Sequence, residues 1–94
     1  MKVRVKVFAR LREILKNREV EVELSEGATI KDLLLMLIKT YGRELEDYLF
    51  SENGNLREHF VIYINGIGMN EAGGVGRTLK DGDVIAILPP ISGG

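Results

Sequence analysis

The chain opens on a strict alternation. Val3, Val5 and Val7 fall on one side of an extended segment, and Lys2, Arg4 and Lys6 on the other. A period of two predicts a half-buried β-strand. Residues 19–24 repeat the pattern with opposite charge, placing Val20, Val22 and Leu24 inward and Glu19, Glu21 and Glu23 outward. Antiparallel pairing of Val5 with Val22 sets Arg4 opposite Glu23 and Lys6 opposite Glu21. Each such cross-strand pair contributes a few tenths of a kcal/mol, up to about 1. A one-residue slip would turn every valine outward, so the alternation is expected to fix this register. The charges read as a solvated face, since exposed pairs are worth little, with a basic or acidic docking surface as the alternative. Between the two strands, Leu11, Ile14 and Leu15 have helical spacing and predict a short helical turn within residues 9–18.

The period then changes. Ser25, Glu26 and Gly27 form a turn, and Thr29 precedes Ile30 with Asp32 three residues on. This is a capping box with Asp where Glu or Gln is usual. Ile30, Leu33, Leu34, Leu37, Ile38 and Tyr41 follow at the spacing of one helix face, and Gly42 supplies the stop. Leu35 and Met36 lie on the flanks of that stripe; either a later segment covers them, which is the expectation, or they are exposed to a partner. Leu45, Tyr48 and Leu49 predict one or two further helical turns, and Asn53-Gly54 a turn. His59 reads as a surface or edge residue.

Residues 60–64 are apolar on both faces and are closed by Asn65-Gly66, a strand followed by a turn. The glycines in residues 66–76 invite comparison with a phosphate-cradling loop. Their spacing fails the P-loop pattern, no lysine precedes Thr78, and no helix pattern follows. A mobile surface loop is the expectation. Leu79 anchors a turn at residues 78–83, and residues 84–88 read as a central strand, apolar on both faces and so covered on at least part of each side. Pro89-Pro90 ends it, because neither residue donates a ladder hydrogen bond. Strand, strand, helix, strand, short elements and strand give an α+β fold. It is a β-grasp roll, a mixed sheet with one main helix packed across it and the last strand beside the first. Residues 1–88 form the single domain, and residues 89–94 an extended, flexible C-terminal tail.

Composition narrows the chemistry. Ninety-four residues support one core of two layers. There is no cysteine, which removes disulfides, thiolate metal sites and a cysteine nucleophile. A single histidine argues against a histidine-based metal site or triad, and no metal is expected. Thirteen basic and fourteen acidic residues leave a net charge of −1, so bulk electrostatics predict no nucleic-acid partner. The longest apolar run, residues 33–38, falls far short of the roughly 20 residues of a membrane span. With no signal-peptide pattern at the start, the expectation is a cytoplasmic protein without a membrane partner.

The most unusual chemistry is in the last residues, Leu88-Pro89-Pro90-Ile91-Ser92-Gly93-Gly94. The residues after Leu88 could reach about 20 Å if stretched. Pro89 and Pro90 favour a stiff, extended exit. Gly93 and Gly94 lack Cβ atoms, so such an end can thread a narrow channel and present its carboxylate inside another protein. It can equally be a frayed terminus. On the tail alone both readings stand.

The segment Phe8-Ala9-Arg10-Leu11-Arg12-Glu13 after the first strand, Leu79-Lys80-Asp81-Gly82-Asp83 before the last, and Pro89-Pro90-Ile91-Ser92-Gly93-Gly94 at the end together resemble the MoaD family. That family is the ubiquitin-like small subunit of molybdopterin synthase and a cousin of the thiamine sulfur carrier ThiS. The resemblance runs over the whole chain, with residues 43–59 and 66–76 longer than the family minimum. It implies a non-catalytic sulfur carrier whose Gly94 carboxylate is adenylated by a ubiquitin-activating-type enzyme and converted to a thiocarboxylate. No cofactor is bound, and the activating partner uses ATP. The resemblance implies that the molybdopterin synthase large subunit then receives the arm and passes sulfur to a pterin precursor. Phe8, Leu88, Pro89 and Pro90 would dock partners, with Ile91, Ser92 and Gly93 lining the channel path. The alternative is a modifier joined through Gly94 to target-protein lysines, or a carrier for another thiolation pathway such as that of tRNA or thiamine.

Overall fold

The computed structural model describes residues 1–57 and 60–89. Strand β1 (Lys2–Val7) carries its three valines buried and its three cations exposed, as the alternation predicts. It pairs antiparallel with β2 (Glu19–Glu23), but two residues away from the expected register. Val5 faces Val20 and Arg4 faces Glu21. A two-residue shift keeps every valine on the same face, so side-chain alternation cannot detect it. The ends of the hairpin decide it. Met1 and Leu24 exchange main-chain hydrogen bonds of 2.9 and 2.8 Å, and Val7 N–H donates to Arg18 C=O. Leu24 is buried. The ion pairs run diagonally, Lys2 with Glu21 at 3.6 Å and Arg4 with Glu19 at 3.2 Å.

The connection holds helix α1 (Arg10–Leu15), which buries Leu11 and Leu15. Helix α2 (Ile30–Tyr41) starts at the expected capping box. Asp32 N–H donates to Thr29 Oγ1 at 3.3 Å, and Thr29 N–H donates back to Asp32 Oδ2 at 2.9 Å. Ile30, Leu33, Leu34 and Leu37 are buried, with Ile38 and Tyr41 packed beside them. Gly42 ends α2 and starts α3 (Arg43–Leu49) with φ 94° and ψ −164°, a region essentially reserved for glycine. Helix α3 buries Leu45 and Leu49.

Leu35 and Met36 remain 49% and 37% exposed, contrary to the expected cover. After Gly42 the chain turns Leu45 and Leu49 into the core instead of crossing the flanks of α2. Leu35 is left lining an open groove of about 660 Å³, together with Ile38, Phe50 and several charged side chains. Met36 is left beside β2.

Strand β3 (Val61–Ile64) turns through Asn65 and Gly66, both at positive φ, into β4 (Ile67–Gly68). This is the primed turn that suits the twist of a hairpin. Residues 66–76 are thus not the plain loop expected. They hold β4, a turn tied by Ala72 N–H to Gly68 C=O and Gly74 N–H to Met69 C=O, and a 3-10 turn at Gly74–Gly76 closed by Arg77 N–H to Gly74 C=O. Met69 and Ala72 pack against the core and give the segment its anchor.

Strand β5 (Val84–Leu88) completes a sheet of order β2-β1-β5-β3-β4, parallel to β1 and antiparallel to β3. The last strand is central and beside the first, as in a β-grasp roll. The core lies between α2 and the sheet face bearing Val3, Val5, Val7, Ile62, Ile64, Ile85 and Ile87. Among the described residues no helix is long and apolar enough to cross a membrane.

Candidate functional site

The site is built around β5, which is held at both ends. At its start, Asp83 is only 6% exposed. Its carboxylate accepts from Asn65 Nδ2 at 2.9 Å and from the Lys80 N–H at 2.8 Å. Asn65 Oδ1 in turn accepts from the Val84 N–H at 2.9 Å. One side chain on the β3–β4 turn thus satisfies both Asp83 and the first amide of β5. On the other side, the Lys2 N–H donates to Asp81 Oδ1 at 2.7 Å, and the Gly82 N–H to Lys2 C=O at 2.8 Å. Charge-assisted bonds to carboxylates are the strong class of hydrogen bond. The Leu79-Lys80-Asp81-Gly82-Asp83 segment therefore fixes the register of the central strand against both neighbours.

At the far end, Val7 lies opposite Ile87, and Val61 opposite Leu88. Continuing the β1–β5 register by one residue sets Phe8 alongside Leu88. Phe8 is half-buried beneath the Arg12 guanidinium, whose carbon lies 4.9 Å from the ring centroid. Arg12 Nε donates to Val7 C=O at 2.9 Å and is held there. Ala9 follows with φ 50° and ψ −126°, a strained conformation for a residue with a Cβ. It turns the chain sharply into α1, with Leu11 N–H closing onto Phe8 C=O at 3.1 Å. Strain of this kind persists only where surrounding packing over-determines it.

Phe8, Leu88 and Pro89 therefore meet at one end of the sheet, each partly exposed. Pro90, Ile91, Ser92, Gly93, Gly94 and His59 lie outside the described residues. Sequence reasoning passed over Val61, Tyr63 and Ala86. These share the solvent-facing side of the sheet with Leu88, and Tyr63 is 39% exposed. The signal was present, because two neighbouring strands apolar on both faces must present aliphatic surface outward if only one face has helices. Arg12 stood inside the Phe8–Glu13 motif without an assigned role, and its spacing alone does not single it out from Arg10 beside it. Among the described residues no group of three acidic or histidine side chains could hold a metal ion.

The sequence model of the ThiS family matches residues 5–94. The chain belongs to the ThiS family. Members of this ThiS/MoaD group are small ubiquitin-like sulfur carriers. Small archaeal modifier protein 1 of Haloferax volcanii is 36% identical over 89 residues, 95% of this chain and 97% of that protein. The molybdopterin synthase sulfur carrier subunit of Chlamydomonas reinhardtii is 34% identical over 94 residues, covering both chains fully. The crystal structure of SAMP1 from Haloferax volcanii superposes with a TM-score of 0.87 at 32% identity, covering both chains fully. These likenesses bear out the β-grasp fold and the ubiquitin-like carrier family.

Proposed function

We propose that this ThiS-family protein carries sulfur on the carboxyl group of Gly94 and delivers it, as the small subunit of a molybdopterin synthase, to a pterin precursor. The observation that carries the reading is a family match that continues past the central strand to residue 94. A folded body with few chemical groups suits this division of labour. The protein positions an acyl group, and its partners supply the catalysis.

A carboxylate is a poor electrophile. Attack of its oxygen on the α-phosphorus of ATP, in an activating enzyme of the ubiquitin-activating type, expels pyrophosphate and leaves an acyl-adenylate. A sulfur nucleophile at the sulfide level then adds to the acyl carbon, and the C–O bond to AMP breaks. The product is a thiocarboxylate, whose sulfur is the nucleophile offered in the synthase large subunit. Phe8, Leu88, Pro89 and Pro90 dock these cytoplasmic partners, and Ile91, Ser92 and Gly93 line the path of the arm. The half-covered apolar surface at the end of β5 supports that placement.

A second reading is favoured by the likeness to small archaeal modifier protein 1, namely that Gly94 is joined to lysines of target proteins. The same acyl-adenylate serves both, with an amine in place of sulfur. Incubation with a cognate activating enzyme, ATP and sulfide should raise the intact mass by the difference between sulfur and oxygen. No mass change would overturn the carrier reading. Sulfur transfer to a pterin precursor on adding a synthase large subunit supports the molybdopterin role. A covalent ladder in cells that make no molybdenum cofactor, with branched peptides ending at Gly94, would replace that role with the modifier.

A further inference from the structure

Strand β2 is an edge strand, and among the described residues no strand pairs with its free side. The pairs Met1–Leu24 and Val7–Arg18 carry main-chain hydrogen bonds between β1 and β2. In an antiparallel ladder such pairs alternate. Val20 and Val22 therefore spend their N–H and C=O groups on β1, whereas those of Glu19, Glu21 and Glu23 point to the open side. The opposite edge differs, since β4 is two residues long. A regular five-residue strand with the amides and carbonyls of three residues turned outward is a template for one more strand.

The side chains along this edge specify what that strand must be. On the solvent face stand three glutamates at every second position. On the helix face, Val20 and Val22 are only partly buried, beside a shallow groove of about 180 Å³ that also touches Met36, Thr40 and Tyr41. A second β2 would bring glutamate against glutamate, which is unfavourable directly across a ladder. The fold itself displays the acceptable partner. β1 lies along the other side of β2 with cations opposite the glutamates and valines opposite the valines.

We propose that the free edge of β2 is a docking site for an extended peptide of alternating basic and aliphatic residues, belonging to a partner protein. Such a peptide extends the sheet by one strand. Its basic side chains face Glu19, Glu21 and Glu23, and its aliphatic side chains cover Val20, Val22 and the exposed Met36. The edge lies two strands from β5, about 10 Å away. A partner can be held there while the end of β5 engages another protein, and this inference does not rest on the chemistry of Gly94.

The test uses the full chain and two capped synthetic peptides, one alternating lysine and valine and one alternating glutamate and valine, followed by amide hydrogen exchange. The lysine–valine peptide should slow exchange at Glu19, Glu21 and Glu23 by about tenfold or more at saturation, with Val20 and Val22 changed little because β1 already protects them. The glutamate–valine peptide should leave all five unchanged. The triple variant Glu19→Gln, Glu21→Gln, Glu23→Gln should weaken binding about tenfold, and Met36→Lys should weaken it independently. Binding without protection of the glutamate amides would reduce the effect to diffuse attraction and overturn the proposal. Absence of binding would also overturn it. Protection that grows with protein concentration in the absence of peptide would assign the edge to a second copy of this chain instead.

Discussion

Ile85 and Ile87 point from β5 into the helix layer and are buried, whereas Val84, Ala86 and Leu88, the alternate residues of the same strand, point to solvent and stay half-covered. The neighbouring strand β1 has no such ambiguity, with valines inward and cations outward. The solvent face of the sheet is therefore divided. Its β1–β2 half is closed by diagonal ion pairs, and its β5–β3 half presents Val61, Tyr63, Ala86 and Leu88. The inner face is a finished core, and one half of the outer face is aliphatic surface still partly in water. Removing such surface from water on binding is favourable by roughly 25 cal/mol per Å². The division separates the surface that builds the core from the aliphatic surface left available for contact.

Changes that act on one side only can break this comparison. Removing Gly94 should reduce thiocarboxylate formation to background while the thermal midpoint stays within error. A clear fall in midpoint would mean the end of the chain supports the core. Leu34→Ala, on the inner side, should cost about 2–5 kcal/mol in denaturant unfolding through the cavity it leaves. Asp83→Ala should cost about 1–3 kcal/mol, because Asn65 Nδ2 and the Lys80 N–H lose their acceptor. Leu88→Ala should cost less than half of what Leu34→Ala costs yet slow modification by the activating enzyme. Equal stability losses from these two leucines would erase the distinction between the faces. Smallest of all, a double-mutant cycle on Arg4 and Glu19 should give a coupling of about 0.2–1 kcal/mol that fades in high salt.

The candidate site was legible unevenly. Phe8, Leu88 and Pro89 were found through a family resemblance, and the structure places them together at one end of the sheet. Residues 60–64 and 84–88 were legible as apolar on both faces, yet that their outer residues form a patch partly in water, and which residues these are, followed only from pairing. The bond between Asn65 and Asp83 joins residues far apart in the chain. Asn65 read as a turn residue and Asp83 as part of a turn motif, with nothing local to say that they meet.

Taken alone, the sequence determined what local chemistry determines. The valine alternation makes β1 and β2, the Thr29–Asp32 box and the leucine stripe make α2, Gly42 stops it, and Asn65-Gly66 turns the chain. Each rests on a side-chain period or on contacts within a few residues, whose geometry the backbone itself imposes. Tertiary structure alone decided the β1–β2 register, the exposure of Leu35 and Met36, the anchoring of residues 66–76, and the division of the outer face. Side-chain alternation has a period of two, so it cannot distinguish pairings two residues apart. Cover depends on where a distant segment travels, and that is set by the packing of the whole chain.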